Sequence, residues 1–155
     1  MGGEIIMGRG RGGYTSIQLS YKDSGGRKVT DRGTIFVAER YIDMGYESVF
    51  RQRHDEEDRK TYDLTIKTSN DESFIKNIEV KQTISKNPSQ LAKNIQEGFE
   101  QVGEGGTVAI YLPGRIKSSE STRDFINSGY QEAVRKGFVN GFVEVWFDDK
   151  TRITL

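Results

Sequence analysis

Glu39, Asp63, Glu79 and Lys81 are the residues of this sequence whose types and spacing suit one chemistry. Glu79 and Lys81 stand two apart in Ile78-Glu79-Val80-Lys81. Side chains alternate along a strand, so the two share a face while Ile78 and Val80 take the other. If the strand carrying Asp63 is a neighbour, the Asp63 and Glu79 carboxylates converge, because adjacent strands lie about 4.8 Å apart. Two such carboxylates repel at neutral pH, and a divalent cation relieves the repulsion. Mg2+ is the expected ion, with Mn2+ or Zn2+ as alternatives, since Mg2+ is held by one or two carboxylates together with waters and substrate phosphate. A metal lowers the pKa of its water from about 15.7 toward neutrality, so a phosphodiester can be cut without a histidine base. Lys81 would then aim its ammonium at that water or at the phosphate oxygen gaining charge. Glu39 could hold a second ion or position the water, and the residues leave that choice open. The competing reading is a surface ion pair on an amphipathic strand, a common use of the same spacing.

These residues need elements to position them. Asp31 can cap a helix over residues 34–44, with Ile35, Ala38 and Ile42 on one stripe and Gly45 as its stop; that helix carries Glu39. Residues 47–52 read as a strand and the charged run to Lys60 as a loop, followed by a second strand over 62–66 and a third over 75–82. Pro88 suits the first turn of a helix reaching about Val102, where Leu91, Ile95, Phe99 and Val102 make a core-facing stripe. Residues 107–112 are almost uninterruptedly apolar, as in a strand covered on both faces. A weaker helix over 121–136, a strand over 142–147 and an edge strand over 152–155 complete the order α-β-β-β-α-β-α-β-β. The fold class is therefore α/β, a mixed sheet flanked by helices.

Composition bounds the rest. The chain has 155 residues, about one domain's worth. It is 34% hydrophobic and 30% charged, as a globular chain is, and no apolar run approaches the roughly 20 residues a membrane helix needs. With no cysteine there is no disulfide framework or thiol nucleophile. The single histidine, His54, lies in a charged run and reads as a solvated loop residue. Lys and Arg number 23 against 23 Asp and Glu, so attraction for nucleic acid must come from a local basic face. Arg9, Arg11, Lys22, Arg27 and Lys28 near the start, and Arg115, Lys117 and Arg123 later, could track a phosphate backbone or be scattered surface charge. The opening residues lack the basic and apolar regions of a secretory signal. Gly8-Arg9-Gly10-Arg11-Gly12-Gly13 has no strand before it and no helix after, so it is no nucleotide motif. Residues 1–30 read as a flexible arm with a peripheral strand over 14–21, and 31–155 as the main domain.

Val37-Ala38-Glu39-Arg40-Tyr41-Ile42-Asp43-Met44-Gly45-Tyr46, Tyr62-Asp63-Leu64, and Ile78-Glu79-Val80-Lys81-Gln82 with the Gln-bearing helix after it together resemble the PD-(D/E)XK nuclease-like superfamily. Within it they are similar to the C-terminal toxin domains of contact-dependent growth inhibition and other polymorphic toxins. The resemblance spans residues 34–155 and implies a restriction-endonuclease-like core; Tyr62 stands where the superfamily's namesake Pro would be. It implies that Asp63 and Glu79 bind the metal, that Lys81 is catalytic and Glu39 supporting, and that Gln82 and Gln90 are secondary site residues. The N-terminus of the Pro88 helix, with Ser89, Gln90 and Lys93, offers N–H groups to a substrate phosphate, or is simply an exposed helix face. The implied activity is metal-dependent cleavage of RNA, tRNA ahead of DNA. The implied setting is the cytoplasm of a target cell, reached as the C-terminal part of a larger secreted protein, with a cognate immunity protein as partner. A DNA nuclease of the same fold and a non-catalytic nucleic-acid-binding module are the alternatives.

Overall fold

Asp31 starts the first helix as its side chain type requires: Oδ2 accepts the Thr34 N–H at 3.0 Å and also the Thr34 hydroxyl. In the computed structural model, which describes residues 5–6, 21–51 and 62–155, this helix is α1, Arg32–Asp43. Gly45 ends it at φ +95°, a left-handed conformation that suits glycine, with its N–H bonded to the Ile42 carbonyl at 2.9 Å. Val37, Ala38, Tyr41 and Ile42 are the buried apolar residues, so the covered face is centred differently from the expected Ile35, Ala38, Ile42 stripe, and Ile35 is half-buried. Two adjacent positions in each of two turns make a wider stripe than single positions do. The Gly/Arg-rich arm, residues 14–20 of the expected peripheral strand, Gln52 and the loop with His54 lie outside the described residues.

The chain divides into two compact units, Met1–Ile78 and Glu79–Leu155. In the first, β1 (Ile5–Ile6), β2 (Tyr46–Phe50), β3 (Leu64–Thr68) and the start of β4 (Phe74–Gln82) pair antiparallel in that order. Ser48 ties β2 to α1 through a buried hydroxyl bond to the Ala38 carbonyl at 2.9 Å. Tyr21 is buried with its ring 5.3 Å from that of Phe50, and Lys22 bridges Lys28 across a turn.

In the second unit, α2 (Pro88–Val102) and α3 (Glu120–Arg135) pack on one another and on β5 (Thr107–Leu112) and β6 (Phe142–Phe147). β5 and β6 are parallel, so the chain needs a crossover between them, and α3 lies in it. β7 (Arg152–Thr154) returns antiparallel to β6. Leu91, Ile95 and Phe99 of α2 meet Val108, Ile110 and Leu112 of β5 and Val143, Val145 and Phe147 of β6 in one core. Burying each such side chain contributes about 1.5–3 kcal/mol. All six residues of β5 are buried, as its apolar run predicts. On β6, Trp146 donates from Nε1 to Glu144 Oε1 at 3.0 Å, and Arg152 of β7 pairs with Glu144 at 3.5 Å while lying 5.1 Å from the Trp146 ring centre. The fold is thus α/β with mixed strand pairing, and among the described residues no helix is long and apolar enough to cross a membrane.

Two predictions follow from this packing. A Cβ on Gly129 of α3 would stand 2.8 Å from Leu91 Cβ and 2.9 Å from the Pro88 carbonyl, so α3 reaches α2 only because residue 129 is glycine. Gly129→Val is expected to lower stability by about 1–3 kcal/mol in urea unfolding; an unchanged midpoint would mean that the helices separate freely. Glu47 on β2 is 4% exposed, and among the described residues its Oε2 has no hydrogen-bond partner. Burial pushes its carboxyl above the ordinary glutamate range, Glu72 adds to the rise and Lys67 opposes it. The native state therefore keeps this proton to higher pH than the unfolded chain does. Its stability contribution is complete below the ordinary glutamate pKa and is lost as pH rises through the elevated one. Glu47→Gln should gain thermal stability relative to wild type as pH increases from 4 to 8, read by melting temperatures; a difference that shrinks with pH would contradict this.

Candidate functional site

Asp63 sits at a bend one residue before β3, rather than on the strand as its sequence context predicts. Regular ladder pairing begins at Leu64↔Ile78, yet the backbone of Asp63 is fixed on both sides. Its N–H donates to the Ile78 carbonyl at 3.0 Å, and its carbonyl accepts from the Arg51 N–H at 2.9 Å. The residue is 7% exposed and lines a hollow of about 200 Å³ in the first unit. That hollow is closed by the turn and extended segment from Asp23 to Asp31, by Thr34 of α1, and by Phe50 and Arg51 at the end of β2. Glu39, half-buried on α1, accepts a hydrogen bond from the Tyr21 hydroxyl at 2.6 Å. This contact ties the helix-borne carboxylate to the segment that leads into the hollow's turn.

In the second unit, Glu79 opens the final stretch of β4 and is 3% exposed. Lys81 follows on the same face, as strand alternation requires, with Nζ 3.4 Å from Glu79 Oε2 and its side chain 23% exposed. The sequence pattern predicts an apolar face and a polar face here. Instead Ile78, Glu79 and Val80 are all buried, and β4 opens to solvent toward its two ends, at Phe74 and Ile75 and again from Lys81 to Gln82. The Glu79 carboxylate is therefore held away from bulk water beside one ammonium.

The start of α2 differs from expectation. Pro88 has no N–H to give, and Asn87 occupies the next two donors: its Oδ1 accepts from Ser89 N–H and its carbonyl from Gln90 N–H, each at 3.0 Å. A phosphate there would have to displace the cap. The side chains named with that helix are also engaged. Ser89 Oγ donates to Glu132 at 2.9 Å, holding that carboxyl below its ordinary range. Gln90 Nε2 donates to Asn94 at 2.9 Å, and Lys93 lies 3.9 Å from Glu97.

The lining of the hollow beside Asp63 is what sequence reasoning did not assemble. Arg27 and Lys28 were legible only as two cations near the arm, and Arg51 carried no signal at all. A Gly25-Gly26 turn flanked by Asp23 and a basic pair is the one local cue. Among the described residues no three His, Asp or Glu side chains gather closely enough to hold a metal ion by themselves. A Mg2+ site does not require three, because one or two carboxylates with waters and substrate phosphate complete the shell. A carboxylate oxygen, which Asp63 and Glu79 each carry, is the donor type such a hard cation takes. No protein-family model, curated protein or solved structure matches this chain.

Proposed function

We propose that this chain is a metal-dependent nuclease domain of the PD-(D/E)XK kind, cutting RNA, with tRNA as the leading substrate. The observation that carries this reading is the burial of both motif carboxylates, Asp63 at 7% and Glu79 at 3% exposure. A surface ion pair, the competing explanation of the same spacing, would leave its carboxylate in water, where it costs little and is worth little. Carboxylates taken out of water are expensive and concentrate where a site uses them. The backbone supports the reading too, since the Asp63 amide is bonded to the residue that precedes Glu79 in the chain.

In this mechanism Asp63 and Glu79 would offer their carboxylates to the divalent cation, Mg2+ by donor type. When bound, such a cation would supply the Lewis acidity and water activation that a chain with one histidine otherwise lacks. Lys81 keeps an ammonium beside Glu79 and stabilises negative charge developing on the phosphate. Glu39, oriented by the Tyr21 hydroxyl, supports the arrangement from α1. In its biological setting the domain acts as an antibacterial toxin in the cytoplasm of a target cell. It is delivered by a larger secreted protein and restrained by an immunity protein whose acidic surface covers its basic one.

The test is cleavage of tRNA and of plasmid DNA by purified protein with Mg2+, Mn2+, Zn2+ or EDTA. Expected are RNA products with metal and none in EDTA, loss of cleavage to background in Glu79→Gln, and a drop of about 10²–10³-fold in Lys81→Met. Plasmid cleavage without RNA cleavage would move the assignment to a DNA nuclease. No cleavage of either substrate with any metal, or full activity in Glu79→Gln, would overturn the enzymatic reading.

A further inference from the structure

The hollow in the first unit has a lining that neither hydrolysis nor the core explains. Arg27, Lys28 and Arg51 bring three cations to its wall. All three are exposed. Among the described residues the Arg27 and Lys28 side chains make no hydrogen bond or ion pair, and the Arg51 guanidinium lies 5.9 Å from the Tyr62 ring centre.

Two carboxylates of the same lining shape its backbone. Asp23 Oδ1 accepts the N–H groups of Gly25 and Arg27 at 2.8 and 3.0 Å, which shapes the turn. Asp31 caps α1. Asp63, the residue assigned above to the cation, lines the hollow as well.

We propose that this hollow seats a phosphate of a single-stranded RNA segment beside Asp63, with Arg27, Lys28 and Arg51 neutralising it. The inference rests on the nuclease reading for the role of Asp63 and adds the substrate-holding residues which that reading lacked. Phosphate fits the lining better than a neutral ligand would. Cations without a protein partner give their full charge to an incoming anion, and a guanidinium matches phosphate oxygens two at a time. A divalent cation held by Asp63 would offset that carboxylate's charge beside the phosphate. A single strand fits the space better than a duplex, because unstacked nucleotides can turn one phosphate into a small recess. The two arginines and the lysine are positioned by backbone rather than by each other. The turn is held by main-chain bonds to Asp23, and Arg51 by its N–H to the Asp63 carbonyl, so replacing their side chains leaves the scaffold in place.

The experiment compares full-length wild type, Arg27→Gln/Lys28→Gln, and Arg135→Gln/Lys136→Gln, the last pair removing the same charge from the far end of α3. Binding of a labelled single-stranded RNA is measured in EDTA across a salt series. Wild type and the α3 pair should share one salt slope. The Arg27/Lys28 pair should lose about 0.7 from it, the contribution of the one seated phosphate. With metal present, the Arg27/Lys28 pair should raise KM for RNA while leaving kcat nearly unchanged. An unaltered slope, or an equal loss in both pairs, overturns the inference. If that happens while wild type cleaves RNA and Glu79→Gln does not, the nuclease reading stands and only the hollow's role falls. If the slope changes as expected but nothing is cleaved with any metal, the hollow is an RNA site and the nuclease reading falls.

Discussion

Taking a carboxylate out of water costs several kcal/mol even after the protein relaxes, and the candidate chemistry of this chain depends on two that have paid it. Glu79 stands 3.4 Å from an ammonium in the interior of β4. Asp63 is pinned through its amide and its carbonyl at the bend that starts β3. Hydrophobic burial alone would have selected leucine or valine at either position, as it does at Leu64 and Ile78 beside them. What holds the two acids is backbone: the Asp63 amide and carbonyl are bonded to Ile78 and Arg51, and Glu79 lies within β4.

The sequence disclosed the parts of the fold that rest on one-dimensional period. α2 and β5 fall where the stripe of Leu91, Ile95 and Phe99 and the run from Thr107 to Leu112 place them, because each buries a regular face in a single core. α1 was legible in extent through the Asp31 cap and Gly45, while its covered face was not, since Val37 and Tyr41 take part as well. At β4 the alternation of Glu79 and Lys81 with Ile78 and Val80 was right about sharing a face and silent about whether that face meets solvent. Burial is a property of what lies above a strand, and no pattern within the strand records it.

The candidate site was legible to the same degree. Residue types and spacing singled out Asp63, Glu79 and Lys81 as candidates, because metal-assisted hydrolysis would constrain which side chains could serve. The recess beside Asp63 was not legible, since a turn after Asp23 and the end of β2 build it from irregular backbone that has no period. The N-terminus of α2 shows the reverse case. Its proline and polar residues suggested open donors, and Asn87, one residue upstream, occupies them. Capping and phosphate binding draw on the same few N–H groups, so a well-capped helix is a poor anion site.

The only tryptophan of the chain, Trp146, is 3% exposed in the second unit, hydrogen-bonded to Glu144 and faced by Arg152. Indole emission is therefore a private spectroscopic signal of that unit: it is blue while β6 and β7 hold and red once water reaches the ring. The first unit contributes only tyrosine and phenylalanine, so excitation at the red edge of indole absorption reads the second unit without any label.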